Sequence, residues 1–116
     1  MSGRILLVDD NDDVMNVTRT MIVAMGLEVE TASRAGEALE RLISRPGRFD
    51  LLLTDVVMPG MNGVDLAREA HVAIPNLPIL LMSGYNDAAN AKEYRVLRKP
   101  VPYDELYDAI RAHLGQ

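Results

Sequence analysis

Three short runs of uninterrupted apolar residues, Ile5-Leu6-Leu7-Val8, Leu51-Leu52-Leu53 and Ile79-Leu80-Leu81-Met82, constrain the fold of this chain more than any other feature. Each is too short for a buried helix and lacks polar alternation, so each reads as a strand covered on both faces, the type found in parallel sheets. Each also stops at polar residues: Asp9-Asp10 after the first, Asp55 at the end of the second, Ser83-Gly84 after the third. Two more segments read as half-exposed strands. Glu28-Val29-Glu30-Thr31 alternates, and Val96-Leu97 is flanked by Arg95 and Arg98.

Helical spacing fills the intervals. Val14, Val17, Met21, Ile22 and Met25 form one apolar face, with Asn11, Asp12 or Asp13 available as N-cap and Gly26 placed to end the helix. Ala35, Ala38, Leu39, Leu42 and Ile43 make a second face, closed by Pro46-Gly47. After the loop Met58-Pro59-Gly60-Met61-Asn62-Gly63, a third helix runs through Leu66, Ala67 and Ala70. A fourth, short segment fits between Ser83 and the last strand, and Pro102 starts a fifth helix carrying Leu106, Ala109, Ile110 and Leu114. Five strands alternating with five helical segments imply an α/β parallel sheet with helices on both faces. The continuously apolar strands belong in the centre and the mixed ones at the edges, which gives the order 2-1-3-4-5. In that order the winding reverses between strands one and three. A crevice then opens at their carboxyl ends, where Asp9, Asp10 and Asp55 lie.

At 116 residues, 48% of them hydrophobic, the chain is long enough for one core and reads as a single domain over residues 1–116. A net charge of −5 with no Lys/Arg run argues against direct nucleic-acid binding. The absence of cysteine excludes disulfides and thiolate metal sites and fits a reducing cytoplasm. No apolar run approaches a membrane span, and Met1-Ser2-Gly3-Arg4 lacks a signal-peptide core, so a cytoplasmic protein with no membrane partner is expected.

Three carboxylates gathered in a crevice repel one another, and a hard cation with oxygen ligands relieves the repulsion. Mg is the expected ion, with Mn able to replace it; His71 and His113 fall on or near helix ends, away from the crevice. Ser83 and Lys99 add a hydroxyl and a cation to the same edge. Acid, metal, hydroxyl and cation together suit phosphoryl transfer, with Asp55 as the nucleophile that would form an acyl phosphate.

Val8-Asp9-Asp10-Asn11, Asp55-Val56-Val57-Met58-Pro59-Gly60-Met61-Asn62-Gly63, Ser83-Gly84 and Lys99-Pro100, each at its matching point in the strand–helix order, resemble the receiver domains of two-component response regulators across essentially the whole chain. The resemblance implies a flavodoxin-like doubly wound five-stranded sheet and phosphorelay signalling. It implies Asp55 as phosphoacceptor, with Mg held by Asp9, Asp10, Asp55 and the backbone carbonyl of Val57. Ser83 would donate to a phosphoryl oxygen, Lys99 would pair with another, and the Lys99–Pro100 bond would be cis. The implied partner is a histidine kinase or histidine phosphotransfer domain, and the chain is expected to act as a monomer or as part of a longer one. It would take part in its own phosphorylation without being a turnover enzyme, unless it belongs to a hybrid histidine kinase, whose receivers it resembles most.

Two departures from the pattern stand out. Val96 replaces the aromatic that many receivers carry three positions before the lysine, leaving Tyr85 and Tyr94 as candidate substitutes, and the stretch from Ser83 to Lys99 is short. The output and dimer mode of transcription-factor receivers, which uses that face, is therefore not expected. Val57 and Tyr85 would flank the phosphoryl group and hinder water. Asp12 and Asp13 read as cap or dipole partners, the Met21 and Met25 stripe as core, and Met58 and Met61 as loop packing. A flavin-binding protein of the same strand order would need a phosphate loop where Asp9-Asp10-Asn11-Asp12-Asp13 stands, and an aspartyl-phosphate phosphatase would want a second acid where Val57 stands. The remaining alternative is a pseudo-receiver, which binds partners without phosphorylation.

Overall fold

The computed structural model describes residues 1–84 and 93–116. Five strands, β1 (Arg4–Val8), β2 (Glu28–Ala32), β3 (Leu51–Asp55), β4 (Ile79–Ser83) and β5 (Arg95–Arg98), form one sheet in the order β2-β1-β3-β4-β5. Every neighbouring pair is parallel. Four helices complete the described elements: α1 (Asp12–Ala24), α2 (Ala35–Ser44), α3 (Gly63–Ala73) and α4 (Tyr103–Leu114). The expected short helix between β4 and β5 and the residue Tyr85 fall on residues 85–92, outside the described residues.

The apolar runs behave as their composition requires. Ile5, Leu6, Leu7 and Val8 are all fully buried, and their side chains alternate between two cores. Leu6, Val8, Leu52 and Leu81 pack with Ala38, Leu42, Leu66 and Ala70 of α2 and α3. Ile5, Leu7, Leu53 and Leu80 pack with Ile22, Leu106 and Ile110 of α1 and α4. The edges differ as expected: only Ala32 of β2 and Leu97 of β5 are buried. Charge covers the β2 edge, where Arg4 Nη2 lies 2.8 Å from Glu28 Oε2 and Arg48 pairs with Glu30.

Helix α1 departs from its predicted face. Asn11 caps it, its Oδ1 accepting from the Val14 N–H at 3.1 Å, and Ile22 and Met25 are buried as predicted. Val17, however, is 62% exposed, while Thr18 is buried and turns its hydroxyl back to the Val14 carbonyl at 3.0 Å. Val17 lines an open apolar groove with Val14, Met21, Pro100 and Val101 instead of entering the core. Ile43 of α2 is likewise 56% exposed. Met58 is buried and Met61 packs on the α2/α3 core, the loop-packing roles expected of them. Among the described residues no helix is long and apolar enough to cross a membrane.

These burials predict a contrast within one helix. Ile22→Ala should cost about 2–5 kcal/mol, because a fully buried branched side chain leaves a cavity. Val17→Ala should change stability by less than about 0.5 kcal/mol. Urea unfolding of both variants, read by circular dichroism, measures the difference.

Candidate functional site

Each acid reaches the crevice because a buried strand ends beneath it. Asp9 follows β1 and keeps the sheet register for one more residue, its N–H donating to the Ala32 carbonyl at 3.2 Å. Asp9 is fully buried, and both carboxylate oxygens are engaged: Oδ1 accepts from the Asn11 N–H at 2.9 Å and Oδ2 from Lys99 Nζ at 3.1 Å. Asp55 is the last residue of β3 and is 6% exposed; Asp10 is exposed. One carboxylate oxygen from each of Asp9, Asp10 and Asp55 lies within 4.8 Å of the other two.

Lys99 stands between two of these acids. Its Nζ is 3.1 Å from Asp9 Oδ2 and 3.1 Å from Asp55 Oδ2. A backbone bond from the Lys99 N–H to the Ser83 carbonyl, 2.8 Å, extends the β4–β5 pairing to the lysine, and the Lys99–Pro100 peptide is cis, as the motif implied. Ser83 ends β4, one residue beyond Met82, the register partner of Asp55, and is buried. Its hydroxyl donates to the Gly84 carbonyl at 3.2 Å.

Burial pushes the Asp55 pKa up, and the Asp9 charge adds to it; the Lys99 hydrogen bond and charge oppose the rise without cancelling it. For Lys99, burial acts downward, but the hydrogen bonds and charges of Asp55 and Asp9 outweigh it and raise the pKa. The surroundings of Lys99 therefore favour its charged form, while those of Asp55 disfavour its charge.

The oxygen donors fit a hard divalent ion. Opposite ligands of an octahedral Mg are about 4.2 Å apart, a span comparable with that of the three carboxylates. Neither histidine competes: His71 is exposed in the last turn of α3, and His113 Nδ1 lies 2.9 Å from the Ala109 carbonyl in α4. Asp12 and Asp13 are exposed in the first turn of α1, the dipole positions expected of them. Val57, two residues after Asp55, is 57% exposed. Val96 is half-buried, and Tyr94 packs against the α2/α3 core beside it.

Two supporting contacts escape a residue-type reading. Thr54, fully buried, donates its hydroxyl to the Asp55 carbonyl at 3.0 Å. Gly63 donates its N–H to the Val56 carbonyl at 2.8 Å and closes the β3–α3 loop. The signal for the first was a polar residue inside an otherwise apolar strand; the second had only its place after the Asn62 cap.

A family model for the response regulator receiver domain matches residues 5–111. The chain belongs to that family. It is 34% identical over 117 residues to the response regulator receiver protein CpdR of Brucella abortus, covering 96% of each chain. Among solved structures, a receiver domain from Clostridium thermocellum superimposes with a TM-score of 0.90 at 30% identity, covering 97% of this chain and 94% of that one. The receiver domain of the hybrid histidine kinase CckA gives 0.84 at 34% identity, covering 97% and 99%. Other curated relatives are far longer: the receiver spans 15% of the transcription factor SKN7 of Chaetomium thermophilum and 13% of the sensor kinase CckA of Brucella abortus.

The electrostatics around Asp55 predict a pH-dependent stability. A carboxyl with a higher pKa in the fold binds its proton more tightly when folded. The native state therefore loses stability as pH rises from the ordinary value of 3.8 through the raised one. In metal-free buffer Asp55→Asn should unfold at a higher temperature than wild type near neutral pH, and the gap should shrink as the solution is acidified toward 3.8. Thermal unfolding across that pH range checks both statements.

Proposed function

We propose that this receiver accepts a phosphoryl group on Asp55 from a phosphohistidine of a histidine kinase or phosphotransfer domain, and that the resulting acyl phosphate shifts the domain between inactive and active conformations. The observation that carries this reading is Lys99 Nζ, 3.1 Å from both Asp9 and Asp55. It is a half-buried cation beside the proposed nucleophile and within reach of an incoming anion.

In the reaction a carboxylate oxygen of Asp55 attacks phosphorus while the phosphorus–nitrogen bond breaks, its electron pair going to the leaving imidazole. Asp9, Asp10, Asp55 and the backbone carbonyl of Val57 would hold Mg, or Mn in its place. The ion supplies charge neutralisation on the transferring oxygens. Ser83, at the end of β4, would turn its hydroxyl from the Gly84 carbonyl to a phosphoryl oxygen, and Lys99 would pair with another. The new dianion biases a two-state equilibrium in the surrounding loops. One phosphoryl group per site without regeneration makes the domain a switch rather than a turnover enzyme. A cytoplasmic monomer or a module of a longer chain, with no nucleic acid or membrane contact of its own, suits this role.

Incubation with Mg and acetyl phosphate, followed by intact mass, tests the proposal. Wild type should gain one phosphoryl group only when Mg is present, Asp55→Asn should gain none, and Lys99→Ala should gain it at least tenfold more slowly, since it loses a charge-assisted contact of about 1.5–3 kcal/mol. A wild type that gains nothing and also fails to bind beryllofluoride would favour the pseudo-receiver, the reading to which the missing aromatic at Val96 lends weight. A second prediction concerns lifetime. Val57, exposed and apolar two residues after the acceptor, would hinder an attacking water, so Val57→Asn should shorten the half-life of the phosphorylated protein, measured as loss of the added mass after the donor is removed.

A further inference from the structure

Gly63, the first residue of α3, lies against the main chain of the proposed acceptor. A β-carbon at this position would sit 1.9 Å from the Asp55 carbonyl oxygen, 2.8 Å from its carbonyl carbon and 3.0 Å from the Val56 Cα, where ordinary contacts are 3.4–4 Å. All three neighbours are backbone, so no side-chain rotation can make room. The requirement is for space rather than conformation, in contrast to Gly60 on the same loop, which has φ +79 and open space around it.

The strand cannot yield easily. The Val56 N–H donates to the Met82 carbonyl at 2.9 Å, and the Val56 carbonyl accepts from the Gly63 N–H at 2.8 Å. Thr54 Oγ1 also holds the Asp55 carbonyl. The helix is fixed from its own side, because Asn62 Oδ1 accepts from the Asp65 N–H at 2.9 Å and locks the first turn. Residues 56–62, including Val57, thus form a loop closed where Gly63 meets the Asp55–Val56 peptide.

We infer that Gly63 is a positioning residue for phosphoryl acceptance: the bare α-carbon lets the capped end of α3 press on the Asp55–Val56 peptide and so sets the Asp55 carboxylate against Lys99 and the Val57 carbonyl. This rests on Asp55 being the acceptor. Any side chain here must part helix from strand by more than about 1 Å, and a displacement of that size misaligns a reacting group enough to cost on the order of 10²-fold in rate.

The test compares Gly63→Ala with wild type and with Leu42→Ala, a core truncation late in α2, toward the opposite edge of the sheet. Temperatures are chosen so that both variants stay folded by circular dichroism. Gly63→Ala should take phosphoryl from acetyl phosphate about 10²-fold more slowly and bind Mn, followed by electron paramagnetic resonance, about 10- to 100-fold more weakly. Leu42→Ala, though destabilised, should keep the wild-type rate and Mn affinity. If Gly63→Ala does not fold, Asn62→Ala decides the matter. It keeps the space at position 63 but frees the turn that presses on the strand, and should lose rate and Mn affinity where an equally destabilised Leu42→Ala does not. Wild-type values in Gly63→Ala, or matching losses in Leu42→Ala, overturn the inference while leaving Asp55 as acceptor. A wild type that neither binds Mn nor accepts phosphoryl overturns the acceptor reading and this inference with it.

Discussion

Charge crowding at one edge of the sheet is the constraint on which the rest of this molecule depends. Asp9, Asp10 and Asp55 converge where β1 and β3 end, and a carboxylate withdrawn from water without partners costs several kcal/mol or is forced to take up a proton. Lys99 answers part of that charge by reaching both Asp9 and Asp55. Three carboxylates and one ammonium leave two negative charges, the charge that one divalent ion would balance. If the site takes metal and phosphoryl group together, as proposed, the same deficit supplies the reason: the cation would bring back the balance that the dianion would otherwise worsen.

Such a cluster can exist only on a rigid support, and the sheet provides one by keeping polar groups out of its interior. Of the buried polar residues described, Asp9, Thr54, Asp55 and Ser83 all stand at or next to the carboxyl ends of the three central strands, and only Thr18 lies elsewhere. The strand bodies are apolar on both faces and are clamped between α1 and α4 on one side and α2 and α3 on the other. A site built on strand ends inherits their precision, whereas one built on loops would have to be held by its own contacts.

The strands were legible because a short apolar run without alternation has few other uses, and their order followed from which runs lacked charge. The acids, Ser83 and Lys99 were legible as a set because each falls at a strand end once the order is known. Val17 was not, because periodicity counts apolar residues without knowing which neighbours will cover them; the turn of α1 that carries it faces a groove, and Thr18 takes the buried place. Ile43 failed for the same reason. The contact of Gly63 with Asp55 was illegible for a different one. It joins residues across a closed loop through the absence of a side chain, and no pattern of residue types records that two backbones approach so closely.

The three acids are not equivalent, and their differences bear on the choice of Asp55 as the proposed nucleophile. Asp10 is exposed, so water solvates its charge and blunts its nucleophilicity. Asp9 is wholly buried, with one oxygen accepting from the Asn11 N–H and the other from Lys99; each oxygen keeps a further lone pair for a cation, while burial keeps the carboxylate from being reached from outside. Asp55 combines what the others lack: its side chain is 9% exposed, enough to be reached, yet burial dominates its surroundings and disfavours its charge. A carboxylate stripped of much of its water has less solvation to shed when it reacts. The division of labour among identical carboxyl groups thus follows from where each strand stops relative to the surface.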